Sequence, residues 1–303
     1  MNHVDLPDHG KNPPGLHDLS NPFALGLVST PSIAMVTFNF VPEINPSAKY
    51  ERLGPIAMEN HRQYCARHGV TFVHEARPIR DRPACWSKFD IILDTLKNHD
   101  WVIWADSDAL ILDHGLTLSD LCDFDADIVS QCPAEHYAYF GYEKADARRR
   151  MPINTGVFAI RASDWSFHFL KSAARQIMAN ETTPVWNGIG DQEAMTAIFE
   201  RFPAYKSHVR YLGNLHCHPR FYRRGMRFVH FLGNRAPCVV SQDLSDAVLS
   251  RWETALAQGL PLDLEELPLF HLSCIQCKPD QLHYQLGDLD MVLYRDSDLF
   301  WQQ

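Results

Sequence analysis

The sequence predicts an α/β domain with a mainly parallel central sheet, followed by a C-terminal extension. Two observations predict this class. Apolar runs of strand length alternate with amphipathic helical segments from about residue 33 onward, which is typical of parallel strands joined by helices. The chain of 303 residues, 46% hydrophobic and 21% charged, is also long enough and apolar enough to bury a large core.

The first strands and helices follow from the spacing of apolar residues. Residues 33–38 are an apolar run of strand length, and residues 70–73 are rich in β-branched and aromatic side chains. Between them a helical face opens at the Gly-Pro pair of residues 54–55, and Gly69 is placed to end that helix. Apolar residues recur at intervals of three and four after Ser87, which predicts an amphipathic helix packed on the sheet.

The alternation continues to about residue 237. Residues 101–104 form another buried strand, Ser163 is the expected N-cap of a helix that reaches Ile177, and residues 191–200 form a further helix. The remaining expected strands are residues 127–130, 153–160, 208–212 and 228–232. We therefore divide the chain into a polar, proline-rich arm (1–31), an α/β domain (32–237) and an extension (238–303) with helical character at 245–257.

Charge and hydropathy exclude several classes of function. The formal net charge of −9 makes nonspecific nucleic-acid binding unfavourable, since a net-acidic surface repels phosphate backbones. No run of about 18 apolar residues is present, and the first thirty residues lack the basic and apolar regions of a signal peptide. The eight cysteines are widely spaced, unlike those of a disulfide scaffold. We expect a cytoplasmic protein with reduced thiols and no transmembrane segment.

The most informative segment is the apolar strand at residues 101–104, which leads into Asp106 and Asp108. Side chains two positions apart on an extended chain point the same way, so the two carboxylates can share one cation. Ligands bind beyond the carboxyl ends of strands in open α/β sheets, where Mg²⁺ or Mn²⁺ could hold a diphosphate, as glycosyl transfer from a nucleotide-sugar requires. Two alternatives stay open: a solvated turn, and an aspartate-nucleophile phosphatase, whose Asp-x-Asp strand normally opens the domain.

Several motifs in order resemble one known family. They are Thr37-Phe38, residues 59–64, Arg67-His-Gly69, Trp86-Ser-Lys88, residues 104–109, Ile153-Asn154-Thr155-Gly156, Asp191-Gln192 and Val229-His230-Phe-Leu-Gly233. The chain resembles the metal-dependent GT-A glycosyltransferases that include fungal α-galactosyl- and mannosyltransferases and plant xyloglucan α-xylosyltransferases. The resemblance spans about residues 33–234 and implies a GT-A, Rossmann-like nucleotide-diphospho-sugar transferase fold and a hexosyl- or pentosyltransferase activity.

The resemblance also implies site residues. Asp106, Asp108 and His230 would bind the metal, and an imidazole ligand beside carboxylates favours Mn²⁺ over Mg²⁺. Donor-binding residues would be Thr37 and Phe38 at the base and ribose, Lys88 and Asp106 at the phosphates, and Asn154, Thr155 and Gly156 at the sugar. Asp191 and Gln192 would act at the reacting sugar. Each residue has a structural alternative: a core position for Phe38, a solvated helix start for Lys88, a buried strand histidine for His230, a strand bulge for Gly156 and a helix N-terminus for Asp191.

The implied reaction is a retaining transfer from a UDP- or GDP-sugar to a glycan or lipid-linked glycan, and a lipid-linked acceptor would require peripheral membrane contact. In this route the leaving diphosphate takes the acceptor proton, so no strong protein base is needed. A sugar- or nucleotide-binding protein of the same fold without catalysis is the alternative from another class. The donor, the acceptor and the oligomeric state do not follow from these motifs.

Two further clusters have both a functional and a structural interpretation. Arginines at 148–150 and at 220, 223, 224 and 227 could close over a diphosphate or an anionic acceptor, or could be solvated loop residues. His216-Cys217-His218 and the Cys274-x-x-Cys277 pair could form a zinc site, although their separation follows no standard spacing, so free thiols or a local disulfide are the alternative.

Overall fold

A computed structural model gives the fold of the chain. It describes residues 30–41, 48–78, 84–111, 113–122, 125–131, 153–176, 190–217, 225–231, 250–260, 274–278, 281–286 and 289–294. The chain divides into two units between Pro31 and Ser32, and every element below lies in the second unit. In the described ranges, no helix has both the length and the apolar character needed to cross a membrane.

Within the described residues, six strands form the central sheet. They are β1 (Ile33–Phe38), β2 (Thr71–Glu75), β3 (Trp101–Ala105), β5 (Ile128–Ser130), β6 (Val157–Arg161) and β7 (Val209–Tyr211). Their order across the sheet is β2-β1-β3-β6-β5-β7. The pairs β1–β2, β1–β3 and β5–β7 are parallel, whereas β6 is antiparallel to both of its neighbours. The prediction of a mainly parallel sheet is confirmed.

Helices cover both faces of this sheet. They are α1 (Ala48–His68), α2 (Ser87–Thr95), α3 (Asp164–Ala174) and α4 (Asp191–Arg201). Apolar side chains of α2, α3 and α4 pack against one face of β3, which includes Trp104, and α1 packs against the other, which includes Ile103. Every residue of β3 is buried, because both faces of this strand are covered.

Helix α1 begins earlier than the sequence predicts. The Gly-Pro pair was expected to open the helix, but Pro55 lies inside it. Proline in a helix interior costs about 3 kcal/mol. Leu53, Ile56 and Ala57 on either side of it are at most 2% exposed, and their burial offsets that cost.

A second, smaller sheet adjoins the end of β3. Its strands are β4 (Ala109–Ile111), β8 (His216–Cys217) and β9 (Phe228–His230), in the order β4-β9-β8. Strand β4 is antiparallel to β9, and Ala109 lies opposite His230. This pairing brings His230 next to the segment that follows β3.

Asp127, which directly precedes β5, is hydrogen-bonded to residues in or next to β6, α3 and β7. Its carboxylate accepts hydrogen bonds from Arg161 Nη2 (2.9 Å), Ser163 Oγ (2.6 Å) and His208 Nδ1 (2.6 Å). Burial raises the pKa of Asp127, but these hydrogen bonds outweigh it and hold the pKa below its usual value. Ser163 is the N-cap of α3, as predicted, because its hydroxyl accepts from the N–H of Ser166.

Three expectations need correction or completion. The strand expected at residues 153–160 begins only at Val157, because residues 153–154 have no regular structure and residues 155–156 form a bend. Residues 250–257 are helical (α5), whereas residues 245–249 and Ile177 lie outside the described residues. The extension also contains an antiparallel sheet of β10 (Cys274–Lys278), β11 (Gln281–Leu286) and β12 (Leu289–Tyr294), which the sequence did not suggest.

Candidate metal and donor site

The segment after β3 is a tight turn. The N–H of Ala109 donates to the carbonyl of Asp106 at 2.9 Å, which closes a four-residue turn before β4. The expected reason for the convergence of Asp106 and Asp108, an extended chain, is therefore wrong, because the backbone folds back between them. Their side chains nevertheless converge.

Asp106, Asp108 and His230 form one cluster in which a ligand atom from each lies within 4.8 Å of the others. His230 Nε2 is 3.0 Å from Asp108 Oδ1 and 3.9 Å from Asp106 Oδ2. The Asp108 and His230 side chains are almost fully buried, whereas that of Asp106 is 32% exposed. The structure thus brings together the three residues predicted to bind a metal, with one side open to solvent at Asp106.

The contacts that fix the Asp106 carboxylate are made by one of its two oxygens, Oδ1. Oδ1 accepts a hydrogen bond from Trp104 Nε1 at 2.7 Å and lies 3.2 Å from Lys88 Nζ, while Oδ2 faces His230. Burial raises the pKa of Asp106, the Lys88 ammonium opposes this, and the Asp108 carboxylate adds to it, so that the net shift is upward. A bound cation would favour the ionised form, because a ligating carboxylate must be deprotonated.

Lys88 lies at the centre of a buried ion-pair network. Its ammonium donates to the carbonyl of Thr155 at 2.8 Å and to Asp191 Oδ2, and it also lies against Asp106. Burial lowers the pKa of Lys88, but Asp106 and Asp191 outweigh it and raise the pKa above its usual value, so Lys88 stays protonated. Lys88 is 3% exposed, so the solvated alternative is wrong. Because the ammonium group of Lys88 contacts oxygens of Thr155, Asp106 and Asp191, its main effect is to hold these three residues in place.

Gly156 lies directly against His230. A Cβ atom built on Gly156 would overlap Cε1 of the imidazole and lie 2.6 Å from Nδ1 and 2.9 Å from Nε2. The resemblance implied that Gly156 lies at the donor sugar, and the histidine ring occupies the space where a side chain at this position would stand. Among the described residues, His230 Nδ1 has no hydrogen-bond partner, so the ring is placed by the contact of Nε2 with Asp108 and by close packing against Gly156.

The turn before β6 connects this cluster to α4. The N–H of Thr155 donates to Gln192 Oε1 at 3.2 Å, and the N–H of Gly156 donates to Asn154 Oδ1 at 2.9 Å. Thr155 and Asp191 thus contact Lys88, and the side chains of Asn154 and Gln192 accept from the backbone of the same turn, although no periodicity links these residues. Asn154 and Thr155 are at most 7% exposed, so their main contacts are with protein.

Thr37 and Phe38 are on opposite sides of β1. Thr37 is fully buried, and its hydroxyl lies 2.7 Å from His61 Nδ1. Phe38 is half-buried, packs on the core that contains Trp104, and stacks with Phe40 at 6.4 Å. Of the two, Phe38 lies on the sheet face that carries Lys88 and retains an exposed surface.

Tyr50 is a site residue that the sequence did not reveal. Its hydroxyl donates to Asp108 Oδ2 at 3.4 Å, across 58 positions of sequence. The Asp108 charge and burial raise the pKa of Tyr50, which keeps the phenol protonated as a donor. No sequence signal linked Tyr50 to Asp108, because the contact depends on where α1 begins.

The two secondary clusters fall mostly outside the described residues. These are residues 148–150, 218, 220, 223 and 224 and the side chains of Cys217, Cys274 and Cys277. Arg227 is described, and it is paired with Asp120. His216 is buried, with its ring edge-to-face to His230 at 5.5 Å. Cys65, Cys85 and Cys122 are free thiols.

The charge balance of the site favours a divalent cation. Three carboxylates, those of Asp106, Asp108 and Asp191, are close to a single ammonium, that of Lys88, among the described residues. The surplus of negative charge is costly in a largely buried site unless a cation balances it. Two carboxylates and one imidazole are a donor set that suits Mn²⁺.

Residues 29–132, which include Lys88, Asp106 and Asp108, match the sequence pattern of the galactosyl transferase GMA12/MNN10 family. The predicted resemblance is confirmed over these residues, whereas its motifs beyond residue 132 lie outside the match. Probable glycosyltransferase 6 of Oryza sativa subsp. indica is 26% identical over 44% of this chain and 27% of its own length. Probable xyloglucan 6-xylosyltransferase 5 of Arabidopsis thaliana is 25% identical over 50% of this chain and 31% of its own length. The match thus spans less than a third of the length of these two relatives.

A solved structure supports the fold. The crystal structure of a glycosyltransferase involved in the glycosylation of the major capsid of PBCV-1 superposes with a TM-score of 0.50 and 19% identity. The match covers 74% of this chain and 100% of that chain. The predicted GT-A-type α/β fold is confirmed.

Proposed function

We propose that this protein is a metal-dependent, retaining glycosyltransferase. It transfers a sugar from a UDP- or GDP-sugar to a hydroxyl of a glycan or lipid-linked glycan. The observation that carries the proposal is the cluster of Asp106, Asp108 and His230 beyond the end of β3, where open α/β sheets bind their ligands. The GMA12/MNN10-like segment around Asp106 and Asp108 supports the same chemistry.

The cluster fits a divalent ion, and Mn²⁺ in particular. Asp106 Oδ2, a carboxylate oxygen of Asp108 and His230 Nε2 would be the protein ligands. When bound, the ion supplies positive charge that stabilises the leaving diphosphate. The partly exposed side of Asp106 leaves room for donor oxygens.

The residues around Lys88 position the donor sugar. Lys88 fixes Asp106 on one side and Asp191 on the other, and the N–H of Thr155 orients the Gln192 amide. Asp191 is 8% exposed and paired with an ammonium, an arrangement better suited to orienting a sugar hydroxyl than to accepting a proton from an incoming acceptor. This favours the retaining route.

Turnover of nucleotide-sugars tests the function. We expect Mn²⁺-dependent hydrolysis or transfer with one or more UDP- or GDP-sugars, abolished by EDTA and largely lost in Asp108→Asn. Asp94→Asn is the matched control, because the exposed Asp94 pairs with Lys97 on the surface. Donor binding without turnover would indicate a binding protein, and a covalent aspartyl-phosphate would indicate a phosphatase.

Product stereochemistry tests the retaining route. An α-linked donor should give an α-linked product in the proton NMR spectrum, and Gln192→Ala should slow transfer. A β-linked first product would refute retention and make Asp191 the candidate general base.

A further inference from the structure

Helix α5 lies in the extension, far beyond the residues that match the family. It nevertheless contacts two segments that themselves contact the metal cluster. One contact is a bidentate ion pair with α1. Arg52 Nε and Nη2 lie 2.7 Å and 3.0 Å from the two carboxylate oxygens of Glu253. Arg52 Nη2 also donates to Ser250 Oγ at 3.3 Å. A two-pronged arginine–carboxylate pair fixes orientation as well as distance, which a single contact does not.

This ion pair is next to Tyr50 on α1. Tyr50 is two residues before Arg52 and donates to Asp108 Oδ2. Holding Arg52 therefore holds the first turn of α1, and with it the hydroxyl that contacts a proposed metal ligand.

The second contact is aromatic. Trp252 is 5% exposed, and its ring packs edge-to-face on Phe231, with ring centroids 6.2 Å apart. Phe231 directly follows His230, and its N–H donates to the carbonyl of Asp108 at 2.8 Å. Holding Phe231 therefore holds the end of β9 against the turn that carries Asp108.

We propose that α5 positions the metal site through Trp252 and Glu253. Trp252 keeps His230 and Asp108 in register through Phe231, and Glu253 keeps Tyr50 against Asp108 through Arg52. Neither residue is one of the proposed metal ligands, so both are positioning residues. This inference rests on the proposed function, since it assumes that the cluster binds a divalent ion.

The test measures Mn²⁺ affinity from the electron paramagnetic resonance signal of free Mn²⁺, with circular dichroism to verify folding. Trp252→Ala and Glu253→Arg should each weaken Mn²⁺ binding by about 10-fold, the lower end of what partners of ligands cause. Arg52→Glu should do the same, and the double variant Arg52→Glu/Glu253→Arg should recover most of the affinity. The control is Glu59→Gln, which breaks an ion pair with Arg62 on the same helix without touching the site.

The outcomes separate the two proposals. Unchanged Mn²⁺ affinity in folded Trp252→Ala and Glu253→Arg, or no recovery in the charge-swapped double variant, would overturn the role of α5. If Trp252→Ala fails to fold, the charge-swap series decides, because Arg52 and Glu253 are partly exposed. Absence of Mn²⁺ binding in the wild-type protein would instead overturn the proposed metal-dependent function.

Discussion

Replacing Gly156 with alanine tests whether close packing places the His230 imidazole. The new methyl group would lie 2.6 Å from Nδ1 and 2.9 Å from Nε2, whereas real Cβ atoms keep at least 3.0 Å from other heavy atoms. Cε1 lies closer still, so an ordinary contact of about 3.5 Å requires the ring to move by about 1.5 Å. The ring is buried between the two sheets and has little space for this shift.

A displacement of this size has a measurable cost for metal binding and for folding. Metal–ligand distances vary by only about 0.2 Å, so the displaced imidazole would be lost as a ligand. We expect Mn²⁺ affinity to fall about 10- to 100-fold, measured by isothermal titration calorimetry. Overpacking should also lower the free energy of unfolding by about 1–3 kcal/mol, measured by urea denaturation.

A double-mutant cycle identifies the source of the strain. In the His230→Ala background the ring is absent, so Gly156→Ala should cost little or no additional stability. The same cost in both backgrounds would show that the methyl group meets something other than His230. Unchanged Mn²⁺ affinity in Gly156→Ala would refute the reasoning directly.

Three other variants test the buried polar groups. Lys88→Met should destabilise the fold by about 3–5 kcal/mol in thermal or urea unfolding, because Asp106 and Asp191 lose their counter-charge, and full stability would contradict this. Burial lowers the pKa of His61 to about 3. The unfolded chain therefore takes up a proton below about pH 6.5 while the folded chain does not, and stability should fall from there toward pH 3, less steeply in His61→Gln. Asp127→Asn should cost about 1–3 kcal/mol. Since the folded pKa of Asp127 is depressed, the contribution of its carboxylate should be complete above about pH 4 and be lost as the pH falls through the lower folded pKa. Identical acid unfolding of variant and wild type would argue against this.

The fold could be predicted from the sequence because its signals are local. The apolar run at residues 101–104 and the N-cap at Ser163 each depend on neighbouring residues, and both are present. The start of α1 could not be predicted, because the burial of Leu53 and Ile56 by distant elements outweighs the tendency of Pro55 to begin a helix.

For the candidate site, the sequence could predict which residues belong to it but not the contacts between them. Motif resemblance indicated Asp106, Asp108 and His230, which lie together. The burial of Lys88 depends on a pairing with Asp191 that is 103 positions away in sequence. Such long-range contacts leave no trace in local spacing.

The antiparallel direction of β6 decides which contacts of this site depend on the backbone and which depend on a side chain. Strand β6 is antiparallel to β3, so the start of β6 lies beside the end of β3. The carbonyl of residue 155 therefore accepts from Lys88 and its N–H donates to Gln192, and both contacts come from the backbone. Every amino acid supplies the carbonyl, and every one except proline supplies the N–H. These two contacts are therefore specified by the path of the chain, so a substitution of the buried Thr155 by a residue other than proline keeps both wherever that path is unchanged.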